Sequence, residues 1–466
     1  MVREGFEPSV PFKVRRFSKA LLSTTQPPHQ FRNDKTKDSV RETLLGQSES
    51  SRLKKFITYP MISSKKSQKR LLITGSTGFV GRNLLLHALH DPEWSEIILP
   101  VRNQKKIQAQ LKLDHLEDSE HRIRLCSVQD NTWDLSDMPP IDMAIHCAGL
   151  TFSRDRNPYF QTHVEGSLHL LESLPKSCPL LVLSSQAAAG PSSKMIPLRQ
   201  ENHLEQPLSW YGESKYEMEK ALLHHAGDRL LIVRPPMVLG PRDRATIPLF
   251  KMAHGPVRFK PGIQKKYFSW IAVHDLCEAI LIASKQDWNS LPQRIYFVTH
   301  PHAITDLELL NTAAALARIF HTDRDEETVK ADGIRQTSIL TPGCMGTYRP
   351  SHNVSLTQDP SAFLASAVDQ CEIFGLAHAR GINLPLPHII IQLISSIADK
   401  IPKLRRALPS LGRDRVREIF AKRWVIDGSA FERDFHWKAH RELYETLEET
   451  MIWLQQSEDI PLRNRK

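Results

Sequence analysis

The sequence predicts an α/β protein: a doubly wound parallel sheet with a smaller C-terminal substrate-binding lobe. Short apolar runs (KRLLIT, SEIILPV, IDMAIHC, LLVLSS) recur through residues 69–185. Around and beyond them come helical segments such as YFQTHVEGSLHLLESL (159–174) and TDLELLNTAAALARIF (305–320). That alternation builds buried parallel strands joined by crossover helices. A glycine triplet also stands where the first run hands over to the first helical period, as a nucleotide-binding turn requires. With 466 residues, 40% hydrophobic and 24% charged, the chain can build one large domain and a smaller one.

The net charge of +10 is unevenly spread. Residues 1–60 hold 12 Lys/Arg against 6 Asp/Glu, and the rest hold 50 against 46. The body is nearly neutral, which argues against a nucleic-acid partner. Six cysteines lie far apart with no C-x-x-C pair. That pattern offers neither a disulfide framework nor a zinc site, so no metal is expected, and it fits a reducing, cytoplasmic setting. No apolar run approaches the roughly 18–20 residues of a membrane span. The longest, IIIQLISSIA (389–398), reads as a buried helix, with peripheral contact with a membrane surface as the sharper reading.

Residues 1–65 are polar, basic and proline-containing, and read as disordered. FKVRRFSKALLSTT (12–25) resembles a transit peptide. GFEPS (5–9) is what the T-arm consensus of a transfer-RNA gene encodes in one frame. A start codon set too far upstream would explain it, with Met61 the next methionine, so residues 1–60 are expected to be absent from the natural protein. Residues 66–310 then form the nucleotide domain, with 236–270 contributing to the substrate lobe. Residues 311–372 read as an irregular, polar insertion, since loops this long are usually functional or disordered. Residues 373–460 form the C-terminal lobe.

In KRLLITGSTGFVGRNLLLHAL, Gly75, Gly78 and Gly81 fall in a strand–turn–helix setting. A tight turn there lets backbone approach a pyrophosphate, and the helix N-terminus adds N–H donors and positive potential. Cofactor contacts are expected at Gly75, Thr77, Gly78, Phe79, Val80 and Gly81. The second strand ends in Arg102 rather than in the acid that binds an adenosine ribose 2′-hydroxyl. An arginine suits a 2′-phosphate, favouring NADP(H) with NAD(H) as the second choice. The alternative is a solvated loop cation. A third strand, LCSVQD, ends at Asp130, placed to accept from the adenine amine. The fourth breaks at Ala148-Gly149, where small residues let backbone pass under the cofactor.

The fifth strand runs into Ser184-Ser185, and 26 residues after Ser185 comes Tyr211 in SWYGESKYEMEK. This stretch holds Tyr-x-x-x-Lys twice. Residues four apart share a helical face; Tyr216 lies about 140° around from Tyr211, so one pair alone can face a nicotinamide. Small neighbours Gly212 and Ser214 favour Tyr211/Lys215, and the charged neighbours of Tyr216 give Tyr216/Lys220 a surface character. Ser185, Tyr211 and Lys215 are the expected catalytic set. Hydride transfer at a carbon–oxygen centre needs a proton moved on the oxygen. The phenol, ordinarily near pKa 10, would be lowered by the Lys215 ammonium. Ser185 would donate to the developing alkoxide.

These segments together resemble the extended short-chain dehydrogenase/reductase family, also called the NAD-dependent epimerase/dehydratase family. TGSTGFVG is similar to its T-G-x-x-G-x-x-G and YGESK to its Y-G-x-S-K. LIVRPPMVLGPRD (231–243) is similar to a segment that contacts the nicotinamide half through Pro235, and YFSWIAVHDLCEAILIA to a strand–helix pair carrying His274-Asp275. The resemblance implies a Rossmann fold, an NAD(P) cofactor and a small-molecule substrate, with a homodimer through paired helices. SSQAAAGP and VRN look most like the dihydroflavonol reductase and 3β-hydroxysteroid dehydrogenase branch. That points to an oxidoreductase acting on a hydroxy or keto group of a lipid-like or cyclic substrate. A nucleotide-sugar epimerase or dehydratase is the second reading, with Arg242, Arg244, Arg258 and Lys260 available to clamp a diphosphate. A non-catalytic nucleotide sensor or assembly factor is the third. Histidine replaces the family's usual asparagine at His163, on the helix below the site.

Overall fold

The first strand, β1 (Lys69–Thr74), runs from exposed Lys69 into four consecutive buried residues. Such strands can only be covered on both faces, and the core confirms it. Leu71 and Ile73 join one apolar cluster while Leu72 joins another; Ile97 and Leu99 oppose Ile98 in the same way. Period-2 alternation thus feeds two cores from one sheet. The computed structural model describes residues 69–457 other than 115, 117–120, 130–131, 136, 323–381 and 402–412. All of them belong to the unit Lys65–Lys466. The readings of residues 1–60, of Asp130 and of most of the 311–372 insertion fall outside the described residues.

The sheet continues with β2 (Trp94–Val101), β3 (Ile123–Gln129), β4 (Thr132–Trp133), β5 (Met143–His146), β6 (Leu180–Leu183), β7 (Leu230–Arg234) and β12 (Ile295–Phe297). Their spatial order is β12-β7-β6-β5-β1-β2-β3-β4. Seven strands are parallel, and β4 pairs antiparallel at the edge. The doubly wound parallel sheet is therefore present. Chain order reverses between β1 and β5, and ligands bind such sheets at this switch point, beyond the carboxyl ends of the strands.

Helices α1 (Phe79–His90) and α8 (Val273–Lys285) cover one face. The other face is covered by α4 (Gly166–Ser173) and α6 (Trp210–Ala226). Helix α2 (Gln104–Leu113) follows β2; α3 (Asn157–Phe160) runs through a π turn at Gln161–Glu165 into α4; α5 (Gln186–Ala189) follows β6.

Strands β8 (Met237–Leu239) and β11 (Trp270–Ala272) pair beside the sheet. With α7 (Ile247–Ala253), α9 (Asp306–Thr322) and α13 (Leu443–Gln456), they enclose a third core around Phe250, Trp270, Leu316 and Met451. Helix α9 crosses the expected 310/311 boundary, so the described start of the insertion is helical. Strand β10 (Tyr267–Phe268) lies between β13 (Ile304–Thr305) and β15 (Arg423–Trp424). Strand β9 (Val257–Pro261) pairs with β14 (Ile382–Leu386), which leads into α10 (His388–Lys400) and then α11 (Arg413–Phe420). Finally α12 (Ser429–Phe435) returns to the sheet, where Phe431 and Phe435 pack edge-on against Tyr296 of β12.

One expectation fails. Helix α10 is not buried: Ile391 and Ser395 are, but Ile389, Ile390, Leu393 and Ile397 are 40–66% exposed. Its single inward stripe rests on α11, with His388 stacked on Phe420 at 3.9 Å. An apolar run does not show how many sides of its helix will find neighbours.

Candidate active site

The glycine turn is built for close approach. Gly75 has φ +70°, and a Cβ there would lie 2.7 Å from the Ala148 nitrogen. A Cβ at Gly81 would lie 2.3 Å from the Gly75 oxygen, so α1 packs against the turn as only glycine permits. The Gly78 N–H donates to the Gly75 carbonyl at 2.9 Å. Helix α1 starts at Gly78 with no side-chain cap and no acid in its first turn. Its leading N–H groups and positive end are thus left to an anion. The buried Ser76 hydroxyl has no hydrogen-bond partner. An orphaned donor, an uncapped helix and a turn closed to any Cβ fit a dinucleotide pyrophosphate. Gln110 of α2 donates to the Thr77 carbonyl at 3.2 Å, tying the helix after β2 to the turn. Arg102 is exposed directly after β2.

Across the switch point, Thr74 accepts from the Ala148 N–H at 3.1 Å and shares a hydrogen bond with His146 at 2.8 Å. Ala148 is part-exposed and Gly149 exposed; a Cβ on Gly149 would lie 3.4 Å from His163 Nε2 and 3.6 Å from Lys215 Nζ. The glycine thus gives backbone access to both groups. His163 accepts from the Leu150 N–H through Nε2 at 3.0 Å, so Nδ1 carries the proton and faces Ser214 at 2.8 Å. The Ser214 hydroxyl in turn donates to the Tyr211 carbonyl. Burial holds His163 near 2 and His146 near 3, so both are neutral. The imidazole proton of His163 is therefore directed at Ser214, in the first turns of α6.

Ser185 and Tyr211 converge, and hydrogen bonding by Ser185 is among the influences that lower the phenol's pKa against burial. Ser185 also caps α5, accepting from the Ala187 N–H at 3.1 Å. Pro235 is buried beside it, its carbonyl accepting from the Gln186 N–H. Lys215 is buried and donates to the Leu183 carbonyl at 2.9 Å. Burial lowers its pKa to about 8, opposed by Glu219 and then Cys147. The other pair sits apart, with Lys220 5.3 Å over the Tyr216 ring and bonded to Glu217. Tyr216/Lys220 is surface decoration.

The phenol itself departs from expectation. Burial raises the Tyr211 pKa; Arg415 and then the Ser185 hydrogen bond pull it back. The Lys215 ammonium donates to the Leu183 carbonyl, and Arg415 of α11 stands over the ring. Its guanidinium carbon lies 4.3 Å from the ring centroid.

Two residues of this site escaped sequence reasoning. Arg415 lies some 200 residues along the chain, and no local pattern points from it to Tyr211. Glu219 had a signal, because it stands four residues after Lys215 and so on its face. It is buried, takes Arg234 through both oxygens (2.9 and 2.5 Å) and accepts from Ser184. His274-Asp275 is engaged by other partners. Asp275 accepts the His440 and Arg441 N–H groups at 2.9 and 3.0 Å, and His274 bonds His87. Among the cations offered for a diphosphate clamp, Arg242 is held by Asp114 at 2.8 Å, Arg258 by Asn383 at 2.7 Å and Lys260 by Asp306 at 2.9 Å. Arg244 is exposed.

Residues 71–298 match the model of the NAD dependent epimerase/dehydratase family. The chain is 30% identical over 208 residues to GDP-6-deoxy-D-mannose reductase of Pseudomonas aeruginosa, a match covering 42% of this chain and 61% of that protein. It is also 30% identical over 190 residues to ceramide reductase of Caulobacter vibrioides, covering 39% and 50%. The match thus spans less than two thirds of either relative. Among solved structures, dTDP-glucose 4,6-dehydratase from Bacillus anthracis in complex with NAD superposes with TM-score 0.54 at 15% identity, covering 84% of this chain and 98% of that one. UDP-glucose 4-epimerase from Thermotoga maritima gives 0.52 at 15% identity, covering 83% and 99%. At such identity the two structures share the fold.

Proposed function

We propose that this NAD(P)-dependent enzyme, whose residues 71–298 match the NAD dependent epimerase/dehydratase family model, moves hydride between NADP(H) and a hydroxy or keto group of a lipid-like or cyclic substrate. The observation that carries the reading is the convergence of Ser185 and Tyr211 beside buried Lys215, at the switch point that also holds the glycine turn. A bound nicotinamide would supply or accept the hydride. Gly75, Thr77, Gly78, Phe79, Val80 and Gly81 would cradle its pyrophosphate; Ala148, Gly149 and Pro235 would line the nicotinamide side. Lys215 would orient the ribose hydroxyls. Tyr211 would exchange the proton with the substrate oxygen while Ser185 donates to that oxygen as charge develops.

The finer choices rest on particular residues. Arg102 at the end of β2 supports NADP(H). Arg102→Asp is expected to lower the NADPH-over-NADH affinity ratio by about 10-fold or more, read from nicotinamide fluorescence in a cofactor titration. An unchanged ratio would overturn the preference. The apolar surface near the site supports a lipid-like substrate: Phe259, Ile382, Leu384, Ile389 and Leu393 are 43–66% exposed on β9, β14 and α10, and α10 rests on α11 beside Tyr211. That face also suits peripheral contact with a lipid surface; among the described residues no helix is long and apolar enough to cross a membrane. Arg242, Arg258 and Lys260, offered as parts of a diphosphate clamp, are held by Asp114, Asn383 and Asp306, which weighs against nucleotide-sugar chemistry. The test is nicotinamide fluorescence during a screen of ketone-bearing lipids, cyclic ketones and nucleotide sugars. Net oxidation of NADPH is the expected result. Turnover of a nucleotide sugar without net oxidation would replace the reading with an epimerase, and binding without turnover would replace it with a sensor.

A further inference from the structure

The geometry assigns to Arg415, on α11 of the C-terminal lobe, the task of holding the Tyr211 ring and lending its positive charge to that phenol, so that the proton-transfer group is set by a part of the chain outside the nucleotide domain. This rests on Tyr211 being the acid–base group. The guanidinium carbon sits 4.3 Å from the Tyr211 centroid and 5.6 Å from that of Phe152. It is fixed on two sides: Nη2 donates to the Thr151 carbonyl at 2.6 Å and Nη1 to Glu418 at 2.6 Å. Its buried Nε has no hydrogen-bond partner. A cation left with an unused donor and aimed at an aromatic face acts through charge as well as packing.

Helix α11 is in turn bonded to the start of α6. Asp414 accepts the Trp210 N–H at 2.8 Å, Glu418 takes the Ser209 hydroxyl, and Trp424 Nε1 donates to the Glu418 carbonyl at 3.1 Å. Ser209 caps α6 by accepting from the Gly212 N–H at 3.0 Å. One helix therefore sets both the first turn that aims Tyr211 and the charge over its ring.

The other groups facing the ring cannot replace this cation. Tyr159 and His163 stand edge-on at 6.1 and 5.7 Å, and His163 is held neutral by burial. Ser185 contributes a hydrogen bond, not a charge. Glu418 of α11 opposes Arg415 and is partly neutralised by bonding to it. Lys215, on the phenol's own helix, is tied to Leu183.

The test needs no substrate. In the full chain with tyrosines labelled at ¹³Cζ, the Tyr211 resonance is identified by its loss in Tyr211→Phe and titrated against pH. Arg415→Met keeps the side-chain length and removes the charge, and is expected to move the midpoint up by about one pH unit. Arg415→Lys, which restores the charge without the planar fork, is expected to recover at least half of that shift. A midpoint in Arg415→Met equal to that of the native chain overturns the inference, as does an equal shift in both variants, which would mark Arg415 as packing alone. Undiminished turnover in Tyr211→Phe would sink the acid–base reading instead, and the titration would still report on Arg415.

Discussion

Tyr211→Phe is expected to lower turnover by about 10²–10⁴-fold, the usual contribution of a positioned acid–base group, while NADPH affinity stays within a few-fold of native. The ring would keep its place, because Arg415, Tyr159 and His163 contact its faces and edges rather than its hydroxyl. The lost hydrogen bond to Ser185 is worth about 1 kcal/mol, too little to unfold the chain. The kinetic loss would therefore be a loss of proton transfer. Tyr216→Phe, on the far side of the same helix, is expected to be silent, since that ring meets Lys220 at the surface. Steady-state rates and cofactor titrations on the two variants check this. If Tyr216→Phe were the inactive one, the chosen helical face would be the wrong one.

The second large effect is acid lability. His87, His146, His163 and His300 are buried, and His274 is part-buried. Burial is the first cause of depression in each, to about 4, 3, 2, 4 and 2 respectively. A folded pKa below the unfolded value of about 6.5 means that the fold resists a proton the unfolded chain accepts. The associated stability is complete above pH 6.5 and is lost as pH falls below it, at about 1.4 kcal/mol per pH unit for each independent group. His87 and His274 share a hydrogen bond and a mutual repulsion, so they count as one coupled pair. Acids work the other way: Asp243 is raised to about 6 by burial, and Glu201, Glu278 and Glu449 are raised by the same cause. The net loss between pH 6.5 and 5.5 is on the order of 3 kcal/mol, a large part of the stability of an ordinary domain. Urea midpoints followed by circular dichroism at pH 7.5, 6.5 and 5.5 are expected to stay level and then drop. A midpoint as high at pH 5.5 as at 7.5 would mean these imidazoles are not held neutral.

What the sequence made legible was local. KRLLIT followed by Gly75, Gly78 and Gly81 encodes strand, turn and helix within 13 residues, and the turn's close approach to Ala148 leaves no alternative to glycine. The separation of the two Tyr-x-x-x-Lys pairs onto different faces was equally local, because it follows from helical geometry. Long-range effects stayed hidden. Lys215 has the residue type and spacing of a phenol's partner, but its orientation depends on a carbonyl 32 residues away in β6. Arg415 reaches Tyr211 only once α11 docks on α6 through Asp414 and Glu418. The exposure of α10 is likewise a property of what packs near it. Apolar residues at 389, 390, 393 and 397 would look the same in a core helix.

The central claim is that one dinucleotide connects the glycine turn to the Ser185–Tyr211–Lys215 set. A crystal structure of the chain with NADP⁺ tests it most directly. The account predicts the pyrophosphate on the N–H groups that open α1 at Gly78, Lys215 Nζ within hydrogen-bond reach of the nicotinamide ribose, and the reactive carbon of the ring facing the Tyr211 hydroxyl. A cofactor seated elsewhere, or one laid on the turn with its nicotinamide directed away from Tyr211 and Ser185, would contradict it.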